Sequence, residues 1–325
     1  MNSSHSFPSL SEYDTEEGEE DVEDTGEDRG DDRGDDRGDD RGDDRGDDRG
    51  DDRGTEKHVH VLMLDSRDRD QTVFPLPTQV TLKLPRQYRK IERLDIVQIK
   101  FRNGLYALSA ARGNTTIWIA EATEPFLVTI PDGTYTVPAL CAALTGALCA
   151  ASATPLTYNV TFSATTGRFS VGASGPFQLL FKSGGRTVEW GLGWNLGWNP
   201  TDSDVGSIFT ADQMPRLNDE YVFLRLNEPE HMNDVDHTAL EVTALTQEST
   251  GQVAHYFGKM LLEPFGCWSS TLVEAPKIFR PPLGRLERLT IEWLDRWGRI
   301  LSGVDALSCD WHMTVRIVEV VQVTR

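Results

Sequence analysis
From residue 58 onward, apolar and polar positions alternate in short runs. "HVHVLML" (58–64) sets Val59, Val61 and Met63 on one side of a strand. "QVTLKL" (79–84) sets Val80, Leu82 and Leu84 on one side, with Thr81 and Lys83 on the other. Period two over four or more residues predicts half-buried strands. "IERLDIVQIKF" (91–101) is apolar on both faces, the pattern of a central or sandwiched strand. Further strands are predicted at "TTIWIA" (115–120), "PFLVTI" (125–130), "TYNVTFS" (157–163), "GRFSVG" (167–172), "FQLLF" (177–181), "YVFLRL" (221–226), "ALEVTAL" (239–245), "RLTIEWL" (288–294) and "WHMTVRIVEVVQV" (311–323). The separators, among them "PDGT", "TTGR", "KSGG", "WNPTDSD" and "DRWGR", are turn-rich. One segment has another period. "VPALCAALTGALCAA" (137–151) carries Pro near its start and repeats apolar residues at helical spacing.

Many short strands, frequent turns and one short helix predict a mainly β chain, a β-sandwich or jelly roll built as one large unit or two small ones. The expected organisation is a β-rich domain over 57–200 that contains the helix. Residues 201–325 then form a second β-rich domain or the second half of the same sandwich.

The first 56 residues have no such pattern. They hold 24 Asp and Glu against 7 Arg, a net charge of −17 out of −20 for the 325-residue chain, so the remainder is nearly neutral at −3. From Glu27 the chain repeats "DDRG" without an apolar side chain. Such a segment has no surface to bury against its chain entropy, and is expected to be a disordered acidic arm. The repeat contains Arg-Gly-Asp six times, from Arg29-Gly30-Asp31 to Arg49-Gly50-Asp51. The tripeptide resembles the integrin-recognition motif. A solvated acidic spacer is the simpler reading, because any DDRG repeat must contain it.

The N-terminus lacks the basic start and apolar run of a signal peptide. "PALCAALTGALCAASA" (138–153) is too short and too polar to span a bilayer, so no membrane span is expected. Cys141, Cys149, Cys267 and Cys309 contain no CxxC pair and are expected to be buried free thiols. No phosphate loop, HExxH or GxSxG motif occurs. His231 and His237 flank Asp234 and Asp236, and His58 alternates with His60, but neither spacing is that of a standard metal site. No catalytic residue, metal or cofactor is expected, and no direct nucleic-acid contact.

Two stretches stand out. "LDSRDRD" (64–70) alternates Asp65, Arg67, Asp68, Arg69 and Asp70 where the first strand ends, and Pro75 and Pro77 then hold the link extended. These charges are close enough to pair with one another or with a neighbouring subunit. "GLGWNLGWNP" (191–200), with Trp190 just before it, spaces Trp190, Trp194 and Trp198 by four. Burial or subunit contact is expected for these rings rather than ligand binding, and their glycines disfavour a regular helix.

The order of these features resembles a family of virion structural proteins of nucleocytoplasmic large DNA viruses. The resemblance rests on "LDSRDRD", then "FPLPTQVTLKLPRQYRKIERLDIVQIKF", "IPDGTYTVPALCAAL", "TYNVTFS" and an LG-aromatic segment, roughly residues 59–199. It implies a non-enzymatic minor capsid or penton-type component of an icosahedral particle, made in the host cytoplasm. Its partners would be capsid proteins, in a homo-oligomer or hetero-assembly. The chain departs from the family pattern in its acidic repeat and in writing LGW twice. The alternative is a host-surface attachment protein that meets a receptor through the Arg-Gly-Asp arm or the Trp segment.

Overall fold
The computed structural model describes residues 55–322 apart from 123, 155, 182–190, 228–239, 245–251 and 275. The acidic repeat, Trp190 and the His231–His237 cluster lie outside the described residues. The elements run β1 (Thr55–Asp65), β2 (Gln79–Arg102), β3 (Thr116–Glu121), β4 (Glu124–Thr129), α1 (Val137–Ala151), β5 (Tyr158–Ser163), β6 (Arg168–Leu180) and α2 (Leu192–Asn195). They continue through β7 (Gly206–Thr210), β8 (Tyr221–Asn227), β9 (Leu240–Ala244), β10 (Gln252–Tyr256), β11 (Gly258–Leu261), β12 (Trp268–Ser269), β13 (Leu272–Glu274), β14 (Lys277–Leu294) and β15 (Trp311–Gln322). The chain is mainly β, as its alternation predicts.

All strand pairings are antiparallel. The large sheet has the order β1-β15-β2-β14-β8-β11-β13, with β12 added to β2. The small sheet has the order β4-β3-β6-β5, with β7 on β6. The strands therefore do not divide near residue 200. The first two strands pair with the last two, and the whole small sheet is inserted between β2 and β8. Strands β9 and β10 pair as a separate two-stranded sheet, and each of the two larger sheets has its own core. Phe101, Trp293 and Trp311 are fully buried in the large-sheet core, with the Phe101 and Trp293 rings 4.5 Å apart. Tyr158, Phe169 and Phe177 pack with α1 in the other.

Helix α1 follows from its sequence in detail. The Thr136 hydroxyl caps it by accepting from the Ala139 amide at 3.4 Å, Pro138 occupies the first turn, and Leu140, Leu144 and Leu148 fall on one buried face. Each buried leucine contributes roughly 1.5 to 3 kcal/mol.

Several expectations change. The segments 79–84 and 91–101 are one 24-residue strand, β2, which stays paired through bulges instead of ending at Pro85. Lys90 takes a positive φ of 49°, and the register with β14 shifts twice. Likewise 167–172 and 177–181 join as β6. The Val59, Val61 and Met63 side of β1 is turned out, at 57%, 59% and 86% exposure, while Leu62 and Leu64 pack on the core. From Val61 to Leu64 both faces of β1 are apolar, so alternation alone does not choose between them. A short helix, α2, forms in the LGWN segment despite its glycines. Only Cys309 is fully buried, Cys141 is half-buried, and Cys149 and Cys267 are exposed. Burial pushes the Cys309 thiol up to about 12, so it stays protonated and packs as an apolar side chain.

Candidate functional site
The charged loop is built from the end of β1. The Asp65 carboxylate accepts from the Arg67 amide at 2.9 Å and caps a 3₁₀ turn over Ser66–Asp68. The Arg67 guanidinium donates to both Asp65 oxygens, at 2.9 and 2.6 Å, and holds that carboxyl below its usual range. Ser66 is fully buried. Its hydroxyl donates to Asp310 and accepts from the Trp311 amide, both at 3.0 Å, tying the turn to the start of β15.

Arg69 has the opposite surroundings to Arg67. Its side chain is only 7% exposed and donates to the carbonyls of Ser66 at 2.8 Å, Phe74 at 3.0 Å and Pro75 at 3.2 Å. These backbone groups lie in a link with no ladder partner, and the guanidinium fork supplies the donors that a neighbouring strand would give. Asp70 accepts from the Thr72 amide at 2.9 Å and hydroxyl at 2.6 Å, which stabilises its ionised form. The density of charge thus has an intrachain cause. Of the five charged residues, Arg67, Asp68 and Asp70 are exposed, and Asp65 and Arg69 are drawn inward.

In the tryptophan segment, Leu192, Leu196 and Trp198 are buried in the small-sheet core. The glycines are required by space. A Cβ on Gly193 would lie 1.9 Å from the Phe181 ring, and Gly197 combines a φ of +100° with a Cβ position 2.2 Å from the Gln213 carbonyl oxygen. Trp194 is half-buried at the foot of the β14–β15 connection. Arg216 lies 4.4 Å over its ring and Arg296 5.4 Å, with the Trp297 ring edge-on at 6.1 Å. The structure brings Trp194 together with these three residues, not with Trp198. The partners Arg216, Arg296 and Trp297 carry no motif and come from distant sequence.

The third feature is the outward face of β1, which sequence alternation assigns to the core. β1 pairs with β15 over eleven consecutive positions without a register shift, from Thr55↔Gln322 to Asp65↔His312. Its other edge has no partner strand among the described residues. Beside the stripe of Val59, Val61 and Met63 lies an ionic group on β2 and β15. Arg316 donates to both oxygens of the buried Asp95, at 2.8 and 2.6 Å, and Arg93 lies 2.7 Å from the same carboxylate. Burial pushes the Asp95 carboxyl up, but the two guanidinium groups outweigh it and hold it below its usual range. Lys57 bridges Glu92 at 2.7 Å, and Lys57, Val59, Glu92, Ile278 and Val318 line a groove of about 390 Å³.

On the other face of β1, His60 contacts Glu319 at 2.7 Å and Arg86, so its ring is engaged in polar contacts within the chain. Among the described residues no group of three or more His, Cys, Asp or Glu is gathered as a metal ion would require, and no helix is long and apolar enough to cross a membrane.

No protein-family model and no curated protein matches the chain. Among solved structures it is similar to the mavirus penton protein, with a TM-score of 0.40 and 10% identity, covering 82% of this chain and 100% of that one.

Proposed function
We propose that the chain is a non-enzymatic structural subunit of a large DNA virus particle, a minor capsid or penton-type component that assembles with capsid proteins. The family is suggested by the residue series from "LDSRDRD" to the LG-aromatic segment. What carries the assembly role is the edge of the large sheet. An eleven-residue strand ends the sheet with an outward stripe of Val59, Val61 and Met63 and contains neither a proline nor a bulge. Soluble proteins blunt long free edges with such devices and with charges; β1 carries Glu56 and Lys57 near its start, but its run from Val59 to Met63 is apolar on the outward side and suited to a partner. Arg67, Asp68 and the Trp194 cluster supply further polar and aromatic contact groups on the surface.

The test is quantitation of the protein in gradient-purified particles against the total expressed. A fixed copy number per particle is expected. Absence from particles that are otherwise complete removes the reading.

A further inference from the structure
We propose that the free edge of β1 is a self-recognition surface, on which a second copy of the chain adds its own β1 antiparallel about a twofold axis through Val61. The inference rests on the assembly reading above and names the partner of that surface.

Four features of β1 point to a second copy. The first is the apolar stripe. A twofold axis perpendicular to the sheet keeps like faces together, so the two numbers in each pair must have an even sum. With Val61 opposite Val61 of the second copy, Val59 meets Met63 twice, and the apolar stripe continues unbroken across the axis.

The second is charge along the strand. The same register sets Lys57 opposite Asp65 at both ends, while His60 meets Leu62 and His58 meets Leu64 on the other face. Neighbouring registers lose this match. Moving the axis to His60 sets Lys57 against Met63, and moving it to Leu62 sets Val59 against Asp65 and carries Lys57 past the end of the partner strand. Directly opposed like charges are destabilising, and unlike ones favourable. Lys57 can turn from Glu92, because that bond is exposed and weak, and Asp65, already bound through both oxygens by Arg67, gains a second cation.

The third feature is the charge that precedes the strand. Residues 1–54 hold 23 acidic residues and 7 Arg, a net of −16 on each copy. In the Val61 register Thr55 of each copy lies six residues from the axis, on opposite sides of it. The two attachment points are then separated by about 40 Å along the strands, at roughly 3.4 Å per residue. That is several Debye lengths at physiological salt, about 8 Å each. A parallel pairing would place both attachment points side by side, so repulsion favours the antiparallel arrangement. The fourth is geometric: the unbroken ladder to β15 leaves β1 regular enough to accept a full strand.

The experiment uses the full chain. Sedimentation equilibrium should show a dimer. Val61→Cys under mild oxidation should give a disulfide-linked dimer in which mass spectrometry finds position 61 of one copy joined to position 61 of the other. Val61→Lys sets two ammonium groups face to face. It should weaken dimerisation at least about tenfold with an unchanged circular dichroism spectrum, because Val61 is exposed. Val205→Lys, at another exposed site, should leave the dimer intact.

A wild-type chain that stays monomeric up to about 100 μM overturns the inference. So does a dimer that survives Val61→Lys and forms no 61–61 link. If the wild type is monomeric and Val61→Lys still depletes the protein from particles, the self-pairing falls and the assembly reading stands on another partner. If the dimer and its 61–61 link form but the protein is absent from particles, the self-pairing stands and the virion reading falls.

Discussion

The loop from Asp65 to Asp70 and the strand leading into it dispose of their side chains in opposite ways. In the loop, charged residues that look made for solvent saturate backbone carbonyls and amides of their own chain, Arg69 above all. In β1, valines and a methionine that look made for a core face outward. Polarity states what an environment must supply, and tertiary structure decides where that environment is. A guanidinium is buried where three carbonyls need it, and an apolar stripe is left out where the strand's other face already fills the core.

The largest effect expected from this contrast is at Arg69. Arg69→Ala leaves the Phe74 and Pro75 carbonyls without their donor, and Ser66 with only the Arg69 amide at 3.4 Å. It should cost about 3 kcal/mol in urea denaturation, given that hydrogen bonds to charged groups contribute roughly 1.5 to 3 kcal/mol. Arg67→Ala, two residues away but 68% exposed, should cost far less than Arg69→Ala. Equal losses would mean that the loop is held by general charge rather than by the carbonyl contacts.

A second contrast separates two buried charges. Asp95 is ringed by two arginines, whereas Lys277 is buried with its ammonium donating to the Leu226 carbonyl at 3.0 Å, and burial pushes its pKa down to about 8. Lys277→Met should raise stability at pH 7 by about 2 kcal/mol, because the desolvation penalty of several kcal/mol for a buried ion outweighs the lost bond to the Leu226 carbonyl, worth roughly 1.5 to 3 kcal/mol. Between about 8 and the ordinary value of 10.5 the unfolded chain holds the proton and the folded chain does not. Wild-type stability should therefore rise with pH across that window. The Met variant should lack the rise, and identical pH profiles for the two would refute the burial of charge at this site. For Asp95 the sign is reversed. Its folded pKa lies below the ordinary value of 3.8, so its contribution is fully present above 3.8 and is lost as pH falls through the folded pKa.

Smaller changes are expected on the outward face. Val61→Lys should alter the stability of the dissociated chain by no more than about 0.5 kcal/mol, the usual range for surface substitutions. A large loss in melting would show that the stripe packs within its own chain. Smallest of all is the acidic repeat. Deleting the repeat, residues 27–54, should move the melting temperature by less than about 2 °C, since it has no apolar side chain to pack. Changing Asp to Glu in its Arg-Gly-Asp tripeptides should leave cell attachment of particles unchanged, and loss of attachment would favour a receptor-binding role.

Helix α1 was legible because its cap, its proline and its leucine spacing are all local in sequence. The small-sheet strands β3 and β5 were legible for the same reason, each being a short alternating run. The first half of β14 was not. It carries Pro281 and Pro282, which read as a break, yet pairing with β2 resumes at Leu283 beyond a register shift. β7 was missed because Ile208 faces solvent at 70% exposure and gives the segment no period. In the candidate site, the position of the loop was visible from its charges, but its bonding was not. Phe74 and Pro75 offer carbonyls to Arg69, and carbonyls leave no mark on a sequence. Trp194 was singled out with two other tryptophans, whereas its neighbours Arg216, Arg296 and Trp297 become neighbours only through the fold.

The insertion of the small sheet between β2 and β8 sets an order of events during synthesis. The small-sheet core is drawn from residues between Ala107 and Leu217, and its contacts are comparatively local. All of its residues have been made once that stretch leaves the ribosome. β2 emerges earlier but must wait, because Leu94 pairs with Lys277 on one side and Ile317 on the other. Contacts so distant in sequence close slowly, and an unpaired strand with Ile91, Leu94, Ile96, Ile99 and Phe101 is a natural target for premature association. The inserted unit is therefore expected to fold first, while β2, the longest described strand, waits for a partner on both sides. Chaperone capture of nascent chains should accordingly peak on chains that already contain the small sheet and have not yet reached Trp311.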